Sequence, residues 1–191
     1  MNPSVTVVDY GAGNLLSGVR AFQHLGARVT VAASADSVNA AERPVLPGVG
    51  AFAACRANLS GLDLDGPGRA FSESGRPFLG ICVGMQMIFE GSDEFGQTAG
   101  LALLPGWVRP IPRSDGNGRK RKIPHIGWNA LRPAPDAAGW RGGLLGGVKP
   151  GDSVYFVHSF AADAGCESNR LAECDYEGVR PLAAIQRGSL W

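Results

Sequence analysis

The chain has 191 residues and a formal net charge of +1, with 45% hydrophobic and 18% charged residues. This length fits one domain with a sizeable core, and the small net charge creates no overall field that would favour nucleic acid or a membrane surface. The apolar runs are too short to span a bilayer and no secretory leader is recognisable, so we expect a single cytoplasmic domain over residues 1–191.

Strands and helices are predicted to alternate along the first 76 residues. Short apolar runs indicate strands at residues 5–8, 28–32 and 44–46, and helical spacing of apolar residues indicates helices at 15–25, 34–42, 53–59 and 69–74. This alternation is typical of an α/β fold with a doubly wound, mostly parallel sheet and helices on both faces. A G-x-G turn at residues 11–14 could bind a nucleotide phosphate, but this signal is weak because Leu16 replaces the third glycine.

The segment Pro47-Gly48-Val49-Gly50 follows the third predicted strand. Two glycines around Val49 allow the backbone to turn an amide outward, which is what an oxyanion donor requires. The alternative interpretation is an ordinary turn. The choice between them depends on whether a nucleophile lies nearby.

Cys82 is the candidate nucleophile. It follows an uncharged run at residues 77–81 that predicts a buried strand, and it precedes a helical pattern at residues 84–89. Gly80 and Gly84 stand two positions away on either side, the pattern of a nucleophile elbow. Amides at the start of the helix would then stabilise a thiolate and an oxyanion. The alternative is a cysteine buried in the core.

The other cysteines are Cys55, Cys166 and Cys174. The sequence contains no C-x-x-C pair and only three histidines. A zinc site and a disulfide framework are therefore not expected, and neither is a cofactor. We expect reduced thiols.

Two stretches in the middle of the chain are unusual in composition. Residues 113–122 are basic and polar, which predicts a solvated loop or, less often, a contact with an anionic ligand. Residues 123–129 combine Trp128 with polar groups beside Gly and Pro. This predicts either an exposed recognition edge or a hairpin anchored by its tryptophan.

The last part of the chain predicts antiparallel strands. Residues 132–151 are rich in Pro and Gly and indicate a long connection. Strands follow at residues 153–160, 170–176 and 182–186, with connections too short for helical crossovers. A turn at residues 187–188 would then start the return strand of a hairpin at residues 189–191.

Four motifs together resemble the class I glutamine amidotransferases, and more narrowly the glutaminase subunits of imidazole glycerol phosphate synthase in histidine biosynthesis. They lie at residues 47–50, 79–86, 124–129 and 155–159, and the resemblance extends from Val5 to Trp191. It implies a class I glutamine amidotransferase-like, flavodoxin-like sheet with additional antiparallel C-terminal strands.

The resemblance also implies a chemical role for each motif. Cys82 would attack the side-chain amide of glutamine, release ammonia and leave a thioester that water hydrolyses to glutamate. The backbone amides of Val49 and Val83 would form the oxyanion hole. The residues that would hold the glutamine are Gly48, Gly50, Gln86, Ser159 and Phe160.

A partner is implied as well. Ammonia would pass to a (β/α)8 cyclase subunit in a heterodimer, with Asn14, Trp128 and Asn129 facing that partner. Related amidotransferases supply ammonia for pyridoxal phosphate, tryptophan or purine synthesis, and the His-Ile-Gly-Trp-Asn motif argues against those pathways.

The sequence departs from the family at two points. Phe160 stands where the family usually has tyrosine, which a mainly backbone contact should tolerate. The family completes its catalytic triad with a His-Pro-Glu motif that these 191 residues do not contain, and His24, His125 and His158 each match another role. We therefore expect a domain lacking its terminal strand and helix, with a glutaminase rate lower by several orders of magnitude. The alternative is a cyclase-binding subunit without catalytic activity.

Overall fold

The computed structural model describes residues 2–135, 137 and 139–191. The predicted connection over residues 132–151 includes residues 136 and 138, which lie outside the described residues. The strands are β1 (Ser4–Val8), β2 (Arg28–Ala32), β3 (Pro44–Leu46), β4 (Leu79–Gly80), β5 (Gly91–Ser92), β6 (Thr98–Ala99), β7 (Gly106–Pro110), β8 (His125–Pro133), β9 (Ser153–His158), β10 (Phe160–Ala164), β11 (Arg170–Cys174) and β12 (Leu182–Ile185). The helices are α1 (Leu15–His24), α2 (Ala35–Asn39), α3 (Phe52–Gly61), α4 (Asp65–Ser74) and α5 (Val83–Gln86), with a 3₁₀ turn at Glu167–Asn169.

A parallel sheet with the order β2-β1-β3-β4 forms the centre of the fold. The predicted α/β class is confirmed, because these strands alternate with helices along the chain. The predicted hairpin turn forms at residues 188–189, and Arg187 and Leu190 pair across it in antiparallel fashion, with N–H···O distances of 2.9 and 3.1 Å. Residues 189–191 also run parallel beside β4, where the Phe78 N–H donates to the Ser189 carbonyl over 2.8 Å.

Two further sheets contain the remaining strands, in the orders β10-β7-β5-β6 and β12-β11-β8-β9. The predicted antiparallel pairing of the C-terminal strands is confirmed for β11 with β12. The single strand expected at residues 153–160 is divided at Ser159, because β9 pairs with β8 while β10 pairs with β7. Ser159 is therefore the point where the chain passes from one sheet to another.

Helix boundaries follow from their caps. The Asn14 side chain accepts the Ser17 N–H at the start of α1 over 3.2 Å, and the Ser34 side chain caps α2. The helix predicted at residues 69–74 begins earlier, at Asp65, and includes the glycines and the proline at residues 66–68. Proline is tolerated there because first-turn amides have no intrahelical acceptor.

The main core lies between the parallel sheet and its helices. Fully buried members include Phe52 of α3 and the segment Met87-Ile88-Phe89, which follows α5. A smaller core around Leu171 and Trp140 lies under the β8-β11-β12 sheet. In the described part of the chain, no helix combines the length and apolar character needed to cross a membrane.

Candidate active site

Cys82 occupies the sharp turn between β4 and α5 that the sequence predicted. Its backbone has φ 57° and ψ −117°, a conformation that L-residues rarely adopt. A Cβ placed on Gly84 would lie 2.8 Å from the Leu46 carbonyl carbon, and one on Gly80 would lie 2.7 Å from the Met85 Cα. Only glycine allows this close approach of α5 to the ends of the strands.

The Cys82 thiol opens into a cavity of about 310 Å³, so the alternative of a cysteine buried in the core is wrong. Burial by the surrounding protein raises the pKa of the Cys82 thiol, while a hydrogen bond from the Val83 amide lowers it. The raised pKa keeps the thiol largely protonated at neutral pH. The Val83 amide, at the start of α5, thus favours the thiolate form of Cys82.

The segment at residues 47–50 packs directly against α5. A Cβ on Gly48 would lie 2.6 Å from the Gly84 nitrogen and 2.8 Å from the Val83 Cβ. Val49 and Gly50 line the cavity, whereas Gly48 lies beneath its wall. Among the described residues, the Val49 N–H has no hydrogen-bond acceptor.

The opposite wall of the cavity is formed where β9 passes into β10. Ser159 and Phe160 lie there, and the Gln86 Nε2 donates to the Phe160 carbonyl over 3.1 Å. The contact of Phe160 with Gln86 uses its backbone, so the departure from tyrosine leaves this contact unchanged. The cavity therefore brings together the predicted residues on both sides of Cys82.

Two histidines form a hydrogen-bonded chain beside this wall. His158 Nδ1 lies 2.9 Å from the Phe160 carbonyl oxygen and must donate to it, which leaves Nε2 to accept from His125 Nδ1 over 3.0 Å. His125 Nε2 then faces the Asn129 amide at 3.5 Å. Both ring nitrogens of His158 are occupied. Within the described part of the chain, the Cys82 thiol has no hydrogen bond to a histidine or a carboxylate.

Burial and, second, the neighbouring His158 lower the pKa of His125 to about 4. Burial also lowers the pKa of His158. Both rings are therefore neutral at pH 7, which agrees with the donor and acceptor pattern along the chain.

Glu94 is a cavity residue that the sequence analysis missed. Its Oε2 accepts the Phe52 N–H at the start of α3 over 2.6 Å, and its side chain lines the cavity with Cys82. It lies in a short polar loop between β5 and β6, where acidic residues are common. Its contact with α3 spans 42 positions, and no local pattern indicates it.

The residues expected at a partner interface lie in different settings. Trp128 is 73% exposed on β8 and packs edge-on against Tyr155 of β9, with ring centroids 5.7 Å apart. Together with exposed Ile126 and Val157 they form an apolar stripe, and this exposure favours the recognition edge over a hairpin anchored by its tryptophan. Asn129 instead donates to the Asp175 carbonyl over 2.7 Å.

The basic segment at residues 113–122 is mostly exposed, but Arg121 is not. Its guanidinium is buried and donates to the backbone carbonyls of Pro112 and Glu177. The prediction of a solvated loop is therefore wrong for Arg121, because this side chain fastens the loop to the turn after β11. In the described residues, no group of three or more His, Cys, Asp or Glu is arranged to hold a metal ion.

Comparison with known proteins identifies relatives along nearly the whole chain. Residues 6–185 match the family described as glutamine amidotransferase class-I. The imidazole glycerol phosphate synthase subunit HisH 1 of Legionella pneumophila strain Paris is 44% identical over 188 residues, which cover 98% of this chain and 88% of that protein. The HisH subunit of Moorella thermoacetica is 41% identical, with coverages of 98% and 83%. A crystal structure of a glutamine amidotransferase matches with a TM-score of 0.67 and 14% identity over 97% of this chain and 86% of that one, which shows a shared fold.

Proposed function

Because this chain belongs to the class I glutamine amidotransferases, and within them to the HisH subunits of imidazole glycerol phosphate synthase, we propose that it releases ammonia from glutamine at Cys82 for a cyclase partner. One observation carries the assignment of the nucleophile. The thiol of Cys82 lies at a strained turn directly before α5 and faces a cavity.

The reaction needs two balanced steps. In the first, the Cys82 sulfur bonds to the amide carbon of the substrate, the C–N bond breaks, and the thiol proton leaves on the nitrogen as ammonia. In the second, water cleaves the thioester, giving glutamate and the free thiol. The Val83 and Val49 amides would stabilise the oxyanion of each step, which their positions beside the sulfur and the cavity support.

The cavity offers groups for the polar ends of glutamine. Glu94 places a carboxylate in a cavity of about 310 Å³, where it can pair with the substrate α-ammonium group. Gly50, Ser159 and Phe160 line the same space, and Gln86 holds the Phe160 backbone in place. Gly48 contributes indirectly, since it seats the segment at residues 47–50 against α5.

The proton transfers limit the rate of this chain. The raised pKa of the Cys82 thiol requires a base, and the ring nitrogens of His158 are both engaged in other hydrogen bonds. We expect the 191-residue chain to form the thioester slowly. The same observation favours the second candidate, a subunit that binds the cyclase without hydrolysing glutamine.

The partner in this proposal is a (β/α)8 cyclase, bound as a heterodimer in the cytoplasm. The apolar stripe of Ile126, Trp128, Tyr155 and Val157 offers a docking surface on the β8–β9 pair. Asn14 and Asn129 match positions that face the partner in the family, and this role is part of the proposal.

The test measures glutamate release with and without the cyclase. The unaltered chain should release glutamate, and Cys82→Ala should abolish the release, while Cys166→Ala, at a half-exposed thiol that does not line the cavity, should not. Full activity of Cys82→Ala would contradict the assigned nucleophile. Cyclase binding together with glutamate release equal to that of Cys82→Ala would favour the non-catalytic subunit.

A further inference from the structure

Two buried side chains outside the cavity hold the segment that carries the Val49 amide. The Tyr10 hydroxyl donates to the Pro47 carbonyl over 2.6 Å, and the Cys55 thiol donates to the Val49 carbonyl over 3.4 Å. Each of the two residues is 1% exposed. Tyr10 follows β1 and Cys55 lies on α3, so the two contacts approach the segment from separate elements.

The two carbonyls belong to the peptide planes on either side of the one that contains the Val49 N–H. The Pro47 carbonyl belongs to the peptide plane before Gly48, and the Val49 carbonyl belongs to the plane after Val49. Between them lies the plane that contains the Val49 N–H. A trans peptide fixes its two Cα atoms 3.8 Å apart, so holding both flanking planes fixes the positions of these two atoms. The central plane can then turn only about the line between them, and the narrow φ range open to Val49, a non-glycine residue, limits that turn.

We propose that Tyr10 and Cys55 are positioning residues that hold these two carbonyls and thereby aim the Val49 amide at an oxyanion formed on Cys82. The inference rests on the proposed function, since it requires an oxyanion at that sulfur. It adds two residues that neither line the cavity nor contact the substrate.

The surroundings make both residues suitable for this role. Burial and the neighbouring Cys55 raise the pKa of Tyr10, so its hydroxyl remains a donor at every ordinary pH. A Cβ on Gly48 would lie 3.0 Å from the Tyr10 hydroxyl, so this ring supports the segment from below. Loss of either donor would leave a carbonyl without its side-chain partner and free the segment to shift.

The test uses glutamate γ-semialdehyde, in which an aldehyde replaces the side-chain amide, at free-aldehyde concentrations corrected for the cyclic imine that it forms with its own α-amino group. The Cys82 sulfur adds to the aldehyde carbon, the π electron pair moves to oxygen, and the thiol proton ends on that oxygen. The product is a tetrahedral thiohemiacetal whose oxygen occupies the place of the oxyanion. Glutamate itself makes no such bond, so its dissociation constant reports the cavity alone.

Tyr10→Phe and Cys55→Ala should each weaken semialdehyde binding about tenfold. This is a fraction of the loss caused by deleting an oxyanion donor. Both variants should leave glutamate binding unchanged within about twofold. Cys55→Ser keeps a donor and should restore semialdehyde binding. Cys174→Ala removes an equally buried thiol remote from the cavity and should behave as the unaltered chain.

The inference is overturned if Tyr10→Phe and Cys55→Ala bind the semialdehyde as tightly as the unaltered chain, or if glutamate binding weakens in parallel. Should Tyr10→Phe fail to fold, the comparison of Cys55→Ala with Cys55→Ser decides. If the unaltered chain binds the semialdehyde no better than Cys82→Ala does, the proposed function fails, and the inference fails with it.

Discussion

Replacing Gly84 with alanine should damage both stability and the site. The new Cβ would lie 2.8 Å from the Leu46 carbonyl carbon and 3.2 Å from the Pro47 carbonyl carbon, and it would press on the Leu46 carbonyl oxygen. These are backbone atoms, which cannot rotate away as a flexible side chain does. The Leu46 carbonyl also accepts the Ile81 N–H over 2.9 Å, so displacing it strains a second contact.

The size of the effect follows from this geometry. Carbon atoms pack comfortably at about 3.5–4.0 Å, so α5 must move away from the end of β3 by about 1 Å. Overpacking of this kind costs about 1–3 kcal/mol, and weakening the Ile81 hydrogen bond adds about 1 kcal/mol. Gly84→Ala should therefore lower the free energy of unfolding by about 2–4 kcal/mol. A shift of about 1 Å at Cys82 should also slow its chemistry about 100-fold.

Urea unfolding and the rate at which an electrophilic glutamine analogue labels Cys82 measure the two effects. Gly18→Ala is the matched control, because a Cβ on this residue of α1 meets nothing within 4 Å. It should raise the free energy of unfolding by about 0.5–1 kcal/mol. Unfolding of Gly84→Ala at the same urea concentration as the unaltered chain, with labelling at the same rate, would show that close packing at Gly84 supports neither stability nor the site.

Three further predictions concern the cavity, the apolar stripe and the histidine pair. Glu94→Gln should raise the KM for glutamine by about 10-fold or more with a smaller change in kcat, because an ion pair with the substrate is lost. Asp93→Asn, which breaks an exposed ion pair with Arg109, should leave the KM unchanged. Trp128→Ala should weaken cyclase binding by about 2 kcal/mol without changing the fold, and exposed Leu25→Ala should leave binding intact, as titration calorimetry can measure. The unfolding free energy should fall as the pH decreases from 6.5 towards about 4. In this range the unfolded chain binds a proton at His125, whereas the folded chain, in which burial lowers the pKa of His125 to about 4, does not. The loss should be at most about 3 kcal/mol and should be smaller in His125→Asn.

The parts of the fold and site that the sequence predicted are those encoded over short distances. The elbow at Cys82 is specified within a few residues, since an apolar strand, two glycines and a helix start must occur in that order. The parallel sheet follows equally from the alternation of short strands and helices. The segment at residues 47–50 was recognised as well, because its glycines mark a turn directly after a strand.

Long-range contacts could not be predicted in this way. Glu94 contacts α3 across 42 positions of sequence. The break at Ser159 arises because β9 pairs with β8 and β10 pairs with β7, which the local sequence does not indicate. Arg121 was expected in solvent because it belongs to a basic run. Its guanidinium is instead buried and donates to the Glu177 carbonyl, 56 positions away. A lone side chain carries no periodic signal, so only the folded chain reveals its partner.

The close packing around Cys82 also explains why the proposed oxyanion donors are backbone groups. A non-glycine residue with φ 57° and ψ −117° costs about 1–3 kcal/mol, which the packing of Gly80 and Gly84 against neighbouring backbone must offset. The Gly84 amide is already bonded to the Ile81 carbonyl over 3.0 Å, which leaves the Val83 amide to lower the pKa of the Cys82 thiol. The donor is thus placed by the path of the main chain and not by the side chain of Val83. It follows that the identity of the glycines, more than that of the valines between them, determines whether this site can stabilise negative charge.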